Sequence, residues 1–400
     1  TYIFLPNGTY DLGDKCLTTI SGNNISIIGE SMDKTIILNT PEVEGIGVTA
    51  TLFNTSTGLY LQDLTLKNAY PFDKSTGRAV CLQDKGTRTI CKNVKMLSYQ
   101  DTYYSNNNSG QYYFETSDIH GIVDFICGGG DAFFNKCTLT LESGKNSYIT
   151  APYADGSNFG YVFDGCKIVG SPTDKFDLGR SWGGTAMCAF LNTTLDANAA
   201  KNISATRWCT GGMNVVAKNF WEYNTMDETG KVISPAENVV KFTKDKEVNE
   251  YNTIMTAEKA ANYTLDKVFA DWTPAELAAQ KTGITSTVSN NQLSWNGDAK
   301  MYLVEKDGEF FAMTSEKSLN IDDANSKYAV RAANEMGGFS QPSGIATGID
   351  QNISADETKA VAISIYSVDG TQLSTPQKGI NIVVKTLADG SKKTSKVIMQ

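Results

Sequence analysis

The chain has 400 residues and a net charge of −9, from 35 basic and 44 acidic side chains, which argues against nucleic acid as a partner because phosphate binding needs a basic surface. It has one histidine and eight cysteines without a Cys-x-x-Cys pair, so we expect neither a metal site nor a cofactor. It contains no apolar run near the roughly 20 residues of a membrane helix, and we expect no membrane span. Its length predicts more than one domain.

From Leu61 onward the chain repeats a short pattern: a large apolar residue, two variable residues, a small or aliphatic residue, one variable residue, then Leu, Ile or Met. The copies start 30, 23, 20, 29 and 27 residues apart. Their marked positions are Leu61/Leu64/Leu66, Cys91/Val94/Met96, Phe114/Ser117/Ile119, Phe134/Cys137/Leu139, Phe163/Cys166/Ile168 and Phe190/Thr193/Leu195. Alternation within a copy indicates a strand, and the recurrence is typical of a solenoid whose turns pack on one another. The sequence therefore predicts an all-β fold, a parallel β-helix.

Two acidic tracts occupy the same phase of adjacent copies. Asp101 lies ten residues after Cys91, and Asp124 lies ten residues after Phe114. Strands on neighbouring turns are ~4.8 Å apart, and two carboxylates at roughly that separation repel by on the order of 3 kcal/mol, or about two pKa units. One of the pair should hold a proton near neutrality, as a nucleophile and a general acid/base require. The alternative is that one aspartate caps a turn through its own backbone.

Other catalytic motifs are weaker. Gly179–Gly183 has the Gly-x-Ser-x-Gly spacing of a serine hydrolase, but that chemistry needs a histidine later in the chain. The only histidine, His120, precedes Ser181, and we interpret it as a turn residue beside the acid pair. Gly128–Gly130 lacks the context of a phosphate-binding loop and is interpreted as a tight turn.

Cysteine usage leaves two alternatives open. Cys137 and Cys166 hold the same repeat position on consecutive copies, so we expect them to be stacked inward. They would serve there as small hydrophobic residues or be joined by a disulfide. An even cysteine count permits disulfides, but the spacing assigns no pairs.

The composition changes near residue 280. Thr256–Pro274 predicts a short helix, after which Gln292–Trp295, Met301–Val304 and Tyr328–Ala333 alternate at the spacing of a β-sandwich. Further strands joined by a turn are predicted at Ile363–Gly370 and Lys378–Val384. We therefore expect a β-helix over residues 1–280, followed by small β domains over residues 285–346 and 350–400.

The chain resembles the pectin methylesterases in four motifs that occur in the family's order. Gln100–Tyr104 is similar to Gln-Asp-Thr-Leu-Tyr, and Val123–Gly128 is similar to Val-Asp-Phe-Ile-Phe-Gly. Leu178–Trp182 resembles Leu-Gly-Arg-Pro-Trp, and Arg78–Leu82 falls where the family has Gln-Ala-Val-Ala-Leu. The resemblance runs from about Thr1 to Pro274 and implies a right-handed parallel β-helix, with the family's opening strand and helix missing.

Carried over by position, the resemblance implies a role for each motif. Asp124 would attack the ester carbonyl of a methylated galacturonate, and Asp101 would protonate the leaving methanol and later deprotonate a water. Gln100 would donate its amide hydrogens to the oxyanion. Arg180 would keep Asp124 ionised, which assigns the shared proton to Asp101.

Substrate contacts follow from the same motifs. Trp182 and Tyr104 offer flat faces for sugar rings, although either could equally be a core or rim aromatic. Arg78 stands where the family has a second oxyanion glutamine, so it would either stabilise the oxyanion or pair with a carboxylate and silence it. Cys127 and Ser181 replace an aromatic residue and a proline, which changes the shape of the pocket rather than the reaction.

The implied function is hydrolysis of methyl esters in pectin. The alternative is a non-catalytic pectin-binding or adhesion protein with a degenerate groove, while a polysaccharide lyase is less favoured because its basic residue and calcium ligands are not in these motifs. Residues 285–346 are similar to a fibronectin type III module, and residues 350–400 resemble the C-terminal sorting domains of type IX secretion. These resemblances imply a secreted or cell-surface protein of a Gram-negative bacterium, which we expect to be a monomer. The charge of −9 further suggests weak binding of the ionised product.

Overall fold

The computed structural model describes residues 1–71, 77–281, 283–344, 360–367, 371–373, 377–387 and 392–399. The chain first forms β1 (Tyr2–Leu5), β2 (Gly8–Asp11), β3 (Thr18–Ile20), β4 (Ile25–Gly29), β5 (Thr35–Asn39), β6 (Leu52–Asn54), β7 (Leu59–Asn68), β8 (Leu82–Asp84), β9 (Thr89–Leu97), β10 (Tyr103–Ser105), β11 (Gln111–Glu115) and β12 (Asp118–Gly121). It continues with β13 (Val123–Gly128), β14 (Asp131–Asn135), β15 (Thr138–Leu141), β16 (Ser147–Pro152), β17 (Tyr161–Asp164), β18 (Lys167–Val169), β19 (Phe176–Gly179), β20 (Met187–Leu191), β21 (Thr194–Leu195), helix α1 (Ala197–Asn202), β22 (Asn219–Tyr223) and β23 (Met226–Asp227).

These strands pair in parallel with the strands one turn away and form a parallel β-helix. One sheet has the order β3-β6-β8-β10-β13-β16-β19, and the remaining strands form a second, larger sheet. Strand alternation sends one set of side chains into the coil and the other set outward. The predicted all-β solenoid is confirmed.

The repeated pattern sets the register of the turns. Leu61, Leu64 and Leu66 lie opposite Cys91, Val94 and Met96. The first positions of later copies continue one row, in the pairs Cys91–Phe114, Phe114–Phe134, Phe134–Phe163 and Phe163–Phe190. The phenylalanines of this row stack face to face, with ring centroids 4.3 to 4.6 Å apart. Each turn therefore buries its apolar row against the next, as the spacing predicts.

A bend within each copy is made by a residue with a left-handed backbone. Asp63, Asn93 and Asn192 hold this position with φ of 52° each. Asn and Asp tolerate this conformation better than most residues. Their side chains also bond between turns, since Asn93 Nδ2 donates to Asp63 Oδ1 at 2.5 Å.

A hairpin packs into the core of the coil, and the short helices that follow it pack on the outer face of the larger sheet. The hairpin consists of β24 (Val239–Lys244) and β25 (Glu247–Asn252), which bury Val240 and Phe242 in the coil core. Helices α2 (Ala257–Ala260), α3 (Leu265–Val268) and α4 (Pro274–Ala278) follow. The prediction of one helix over Thr256–Pro274 is wrong, because Thr256 and Thr264 each begin a helix and Pro274 begins a third.

A two-layer sandwich follows the helices. It consists of β26 (Ser286–Ser289), β27 (Gln292–Trp295), β28 (Tyr302–Lys306), β29 (Glu309–Thr314), β30 (Ser318–Asn320) and β31 (Tyr328–Ala332). One antiparallel sheet has the order β26-β27-β30 and the other β29-β28-β31. Leu293, Trp295 and Tyr302 pack between the sheets. The strands agree with the expected sandwich pattern, while the boundary at residues 285–346 stays a prediction.

The sandwich packs against the outer surface of the coil. Phe4 of β1 stacks on Phe310 of β29, with ring centroids 4.6 Å apart. Tyr2 donates a hydrogen bond from its hydroxyl to the carbonyl oxygen of Glu335 at 2.6 Å. Phe339 belongs to the same apolar cluster as Tyr60 of β7. The sandwich is therefore packed against the β-helix rather than held only by a linker.

The last described strands form another antiparallel sheet. They are β32 (Ala360–Tyr366), β33 (Gln372–Leu373), β34 (Gly379–Leu387) and β35 (Lys392–Met399), in the order β33-β32-β34-β35. Residues 350–359 and 368–370, which belong to the predicted C-terminal domain and its first strand, lie outside the described residues. The resemblance to a sorting domain stays a prediction.

All eight cysteines are free thiols, Cys137 and Cys166 included. Both of these side chains are fully buried in the coil, which agrees with the first of the two alternatives, a small hydrophobic residue stacked inward. None of the helices in the described ranges is both long and apolar enough to cross a membrane.

Candidate active site

The two aspartates lie on adjacent turns of the sheet that contains β10 and β13. Tyr103 pairs with Ile126, and Gln100 forms a bridge with Val123. Both pairings have the offset of 23 residues that separates Asp101 from Asp124 in the sequence. Turns of a β-helix lie one strand spacing apart, ~4.8 Å. The pairing expected from the repeat is therefore found in the fold.

Both aspartates have a left-handed backbone. The φ angles are 59° at Asp101 and 50° at Asp124, and the register of β13 on β16 shifts between Val123 and Ile126. A bulge redirects the side chain that it carries. Residues other than glycine keep a left-handed backbone only where the surrounding structure holds them in it. The turn-capping alternative is not seen, since the side chain of Asp124 accepts hydrogen bonds from an arginine and that of Asp101 accepts one from Cys127.

Arg180, which follows β19, holds Asp124 from the far side. Its Nε donates to Oδ1 at 2.8 Å and its Nη2 to Oδ2 at 2.5 Å. The guanidinium lies over the ring of Tyr148, 4.3 Å from the centroid, and its backbone N–H donates to the carbonyl of Thr150. A bidentate pair fixed in this way aims the carboxylate as well as stabilising its charge.

Burial and neighbouring charges shift the pKa of both aspartates. Burial raises the pKa of Asp124 above its usual range, and the hydrogen bonds and charge of Arg180 oppose that increase. The pKa of Asp101 is raised well above its usual range, first by burial and then by the negative charge of Asp124. The expectation that Arg180 lowers the pKa of Asp124 is correct for its contribution, but desolvation outweighs it. The increase is greater for Asp101, which has no comparable cation bonded to it.

A cleft of about 220 Å³ opens over the pair. It is lined by Ile46, Arg78, Gln100, Asp101, Asp124, Cys127, Ala151, Arg180, Trp182 and Met213. Among the described residues, the side-chain amide of Gln100 has no hydrogen-bond partner, so its two donors are available to a ligand. Cys127 donates a weak hydrogen bond from Sγ to Asp101 Oδ1 at 3.7 Å.

A second cavity of about 400 Å³ continues from the cleft. Trp182 lines both, and its ring is 6.1 Å from that of Tyr104 and 5.7 Å from that of Tyr153. Gly128 and Gly129, part of the predicted tight turn, also line this cavity. Flat aromatic faces beside a polar wall are suited to sugar rings, and both predicted aromatic contacts lie at the site.

Arg78 lines the cleft but bonds away from the aspartates. Its Nε donates to Glu44 Oε2 at 2.7 Å and its Nη2 to Oε1 at 2.6 Å. The side chain of Arg78 is 47% exposed and that of Glu44 24%. The carboxylate that Arg78 pairs with is therefore Glu44, not a member of the acid pair.

The residues of the rejected motifs have structural partners. Ser181 is buried and donates its hydroxyl to the carbonyl of Val215 at 2.6 Å. His120 bonds to Glu142 through Nδ1 at 2.7 Å and to Asp118 through Nε2 at 3.0 Å. Although burial opposes it, these carboxylates raise the pKa of His120 to about 9. Neither residue lines the cleft. Within the described ranges, no group of three or more His, Cys, Asp and Glu side chains could hold a metal ion.

Comparison with known proteins agrees with this geometry. Residues 1–271 match the family model of the pectinesterases. The chain belongs to the pectinesterase family. Membership places it among the carboxylic ester hydrolases, the enzyme class that the sequence predicts.

Individual relatives cover different shares of the chain. Pectinesterase A of Dickeya dadantii is 26% identical over 330 residues, which cover 68% of this chain and 83% of that protein. A putative pectinesterase 11 of Arabidopsis thaliana is 34% identical over 129 residues, or 32% of this chain, which spans only 35% of the plant protein. Both relatives are pectinesterases, in agreement with the family model.

Solved pectin methylesterases share the fold. PemA from Erwinia chrysanthemi has a TM-score of 0.53 and 27% identity, covering 68% of this chain and 89% of that one. A pectin methylesterase in complex with a hexasaccharide has a TM-score of 0.51 and 25% identity with the same coverage. The match of this pectinesterase to its family ends before the sandwich, so the resemblance of residues 285–346 to a fibronectin type III module stays a prediction.

Several residues of the site could not be identified from the sequence. Glu44 precedes Arg78 by 34 residues in a loop without the repeat pattern. Tyr148 lies on β16, outside the repeated pattern, and its ring contacts the guanidinium of Arg180 from the neighbouring turn. Tyr153 directly follows β16, which lies between two copies of the repeat, so the repeat gives no signal for it.

Proposed function

We propose that this pectinesterase hydrolyses methyl esters of galacturonate in pectin and releases methanol, with Asp124 as nucleophile and Asp101 as general acid/base. The observation that supports it best is the bidentate contact of Arg180 with Asp124, one turn from a carboxyl whose pKa is raised well above its usual range. One acid is thereby prepared for attack and the other for proton transfer.

In the first step, an ionised oxygen of Asp124 attacks the ester carbonyl, and the carbonyl electrons move to its oxygen. Gln100 donates its amide hydrogens to this oxyanion, a contact whose loss typically costs about 3 kcal/mol. Collapse of the intermediate breaks the bond to the methoxy oxygen, which takes the proton of Asp101 and leaves as methanol. Asp124 is then joined to the sugar as an acyl-enzyme.

In the second step, a water molecule attacks the acyl carbonyl. Asp101, now ionised, accepts its proton and returns to the starting state. Cleavage of the bond to Asp124 releases the galacturonic acid, which loses its proton to solvent, and restores the nucleophile. Trp182 and Tyr104 would support the sugar rings on either side of the scissile ester.

A non-catalytic pectin-binding protein is the alternative. It would require Arg78 to silence the acid pair, whereas Arg78 directs both hydrogen-bonding nitrogens to Glu44. The same contact leaves it free of Asp124, which already has its own arginine. The geometry therefore favours activity.

One assay distinguishes the candidates. The chain is incubated with highly methylated pectin while methanol, chain length and the ultraviolet absorbance of unsaturated ends are followed. We expect methanol alone, while shortening with absorbance would indicate a lyase and no product a binding protein. Asp124→Asn should reduce the turnover number by on the order of 10⁴-fold with an unchanged circular dichroism spectrum. Unchanged turnover in that variant would defeat the assignment.

We further propose that the protein acts outside the cytoplasm of a Gram-negative cell, as a monomer. A cell-surface or secreted location brings a pectin esterase to a polymer too large to be taken up intact. Antibody detection in fractions of the producing cells tests the location, and light scattering of the purified chain tests the oligomeric state.

A further inference from the structure

The loop before β6 closes one side of the catalytic cleft around Arg78. The backbone N–H of Gly45 donates to the carbonyl of Arg78 at 2.9 Å, and Glu44 accepts from both Nε and Nη2 of the same residue. Ile46 lines the cleft beside them. Backbone and side chain of Arg78 are therefore both fixed from this loop.

The pair with Glu44 decides what Arg78 can do in the cleft. The Nε/Nη2 edge of a guanidinium is a rigid fork that fits one carboxylate at a time. With Glu44 on that edge, the positive charge is largely compensated and the edge is closed to a carboxylate of the substrate. Without Glu44, the same fork would lie in a cleft that also contains Asp101.

The charged and titratable groups around Asp101 come from several turns. They are Arg78 on the preceding turn, Asp124 and Cys127 on β13, Arg180 after β19 and Tyr104 on the following strand. Removing the partner of Arg78 would strengthen the positive field at Asp101, which favours its ionised form. The general acid would then lose its proton at a lower pH.

We infer that Glu44 is a positioning residue that makes the cleft select methylated over ionised galacturonate, because it occupies the fork of Arg78 that a free carboxylate would otherwise bind. This inference rests on the proposed function and extends it to substrate selectivity. The apolar side chains of Ile46, Ala151 and Met213 in the same cleft suit a methyl ester better than a charge. The product, which bears the carboxylate, is released instead of being retained by Arg78.

The test is a double-mutant cycle on Glu44→Gln and Arg78→Gln. Binding of fully de-esterified hexagalacturonate is measured by calorimetry at low salt, and binding of the fully methylated hexamer is measured in an Asp124→Asn background. Glu44→Gln should bind the de-esterified hexamer on the order of tenfold more tightly and the methylated one unchanged. The double variant should lose the gain, because the gain requires the guanidinium.

The pH dependence of kcat/KM distinguishes this role of Glu44 from a purely structural one, which would leave the pH dependence unchanged. In Glu44→Gln the alkaline limb of kcat/KM should shift to lower pH, and in the double variant it should return towards that of the unmodified chain. Asp271→Asn is the matched control, because Asp271 pairs with Arg88, a similarly exposed arginine outside the cleft, at 2.7 Å. It should change neither affinity nor profile.

Two outcomes would overturn the inference: affinity of Glu44→Gln for the de-esterified hexamer within twofold of the unmodified chain, or a gain that persists in the double variant. Failure of the proposed function is distinguishable from either. If the chain releases no methanol but Glu44→Gln still binds the de-esterified hexamer more tightly through Arg78, the role of Glu44 in selectivity stands and the esterase assignment is wrong. If the chain releases methanol but Glu44→Gln binds the de-esterified hexamer no more tightly, the esterase assignment stands and the role of Glu44 is wrong.

Discussion

Arg180 donates one hydrogen bond to each carboxylate oxygen of Asp124 while its guanidinium lies on the ring of Tyr148. A lysine cannot reproduce either the fork or the stacking. We therefore expect Arg180→Lys to reduce kcat/KM by on the order of 10²-fold, the value of one or two hydrogen bonds to a charged group.

The pH dependence of kcat/KM in Arg180→Lys shows whether Arg180 acts by keeping Asp124 ionised. Burial already raises the pKa of Asp124, and Arg180 opposes it. Losing the fork raises that pKa further, so the acid limb of kcat/KM should move to higher pH. Arg88→Lys serves as the control, since Arg88 pairs with Asp271 outside the cleft. An acid limb that coincides with the unmodified profile would show that Arg180 does not keep the nucleophile ionised.

Asp101→Asn removes the general acid and should lower the turnover number by about 10²- to 10⁴-fold. The unmodified enzyme should lose activity as the pH rises through the raised pKa of Asp101, because methoxide then leaves without a proton. Methanol release measured from pH 5 to 10 checks both statements. A variant that retains the alkaline limb of the unmodified enzyme would assign that limb to another group.

Asp101→Asn, which lowers activity, should raise the stability of the folded chain at neutral pH. Because the pKa of Asp101 is raised in the folded state, the folded chain binds the proton more tightly than the unfolded chain. Stability is therefore lost as the pH rises above the unfolded value of about 3.9, by about 1.4 kcal/mol per pKa unit of difference. Asp101→Asn should unfold at a higher temperature than the unmodified chain at pH 7 and at a similar temperature near pH 3.

Asp84 provides a matched control. It is a fully buried carboxyl whose pKa is raised by burial to about 6, and it lies outside the cleft on β8. Like Asp101→Asn, Asp84→Asn should unfold at a higher temperature than the unmodified chain at pH 7 and at a similar temperature near pH 3. Unlike Asp101→Asn, it should retain catalytic activity. Equal losses of activity in the two variants would indicate general damage to the coil rather than removal of an acid.

The position of the acid pair could be predicted from the sequence because a β-helix converts spacing along the chain into position in space. The offset of Asp101 and Asp124 equals the length of one turn, so the fold places them together. Glu44 has no such signal, since its loop lacks the repeat and its contact with Arg78 depends on the path of that loop. Tyr148 was missed because it lies on β16, outside the repeated pattern, and contacts Arg180 from the neighbouring turn.

Trp182 is expected to contribute to binding more than to the chemical step. Its ring lies between those of Tyr104 and Tyr153 at the junction of two cavities. Trp182→Ala should raise KM for methylated pectin by about tenfold, or about 1.4 kcal/mol, with a smaller effect on kcat. Trp182→Phe should recover most of the affinity if a flat face is what the sugar needs. A fall in kcat with an unchanged KM would argue against the platform.

Gly337 is expected to matter for the stability of the whole chain. It has φ of 137°, and a Cβ built there would lie 2.6 Å from Cδ1 of Ile28 and 3.0 Å from Cε1 of Tyr60, both on the coil. Gly337→Ala should therefore separate the sandwich from the β-helix locally and cost about 1 to 3 kcal/mol. Because Ile28 and Tyr60 belong to the larger sheet and the acid pair to the other, kcat should not change.

Gly308 separates the two causes of this effect. It also has a positive φ, 89°, but nothing lies within 4 Å of a Cβ built there, so Gly308→Ala introduces backbone strain without a clash. Thermal unfolding of both variants should show the larger decrease for Gly337→Ala. Equal decreases would mean that strain alone is responsible and that the contacts of the added Cβ with Ile28 and Tyr60 cost nothing.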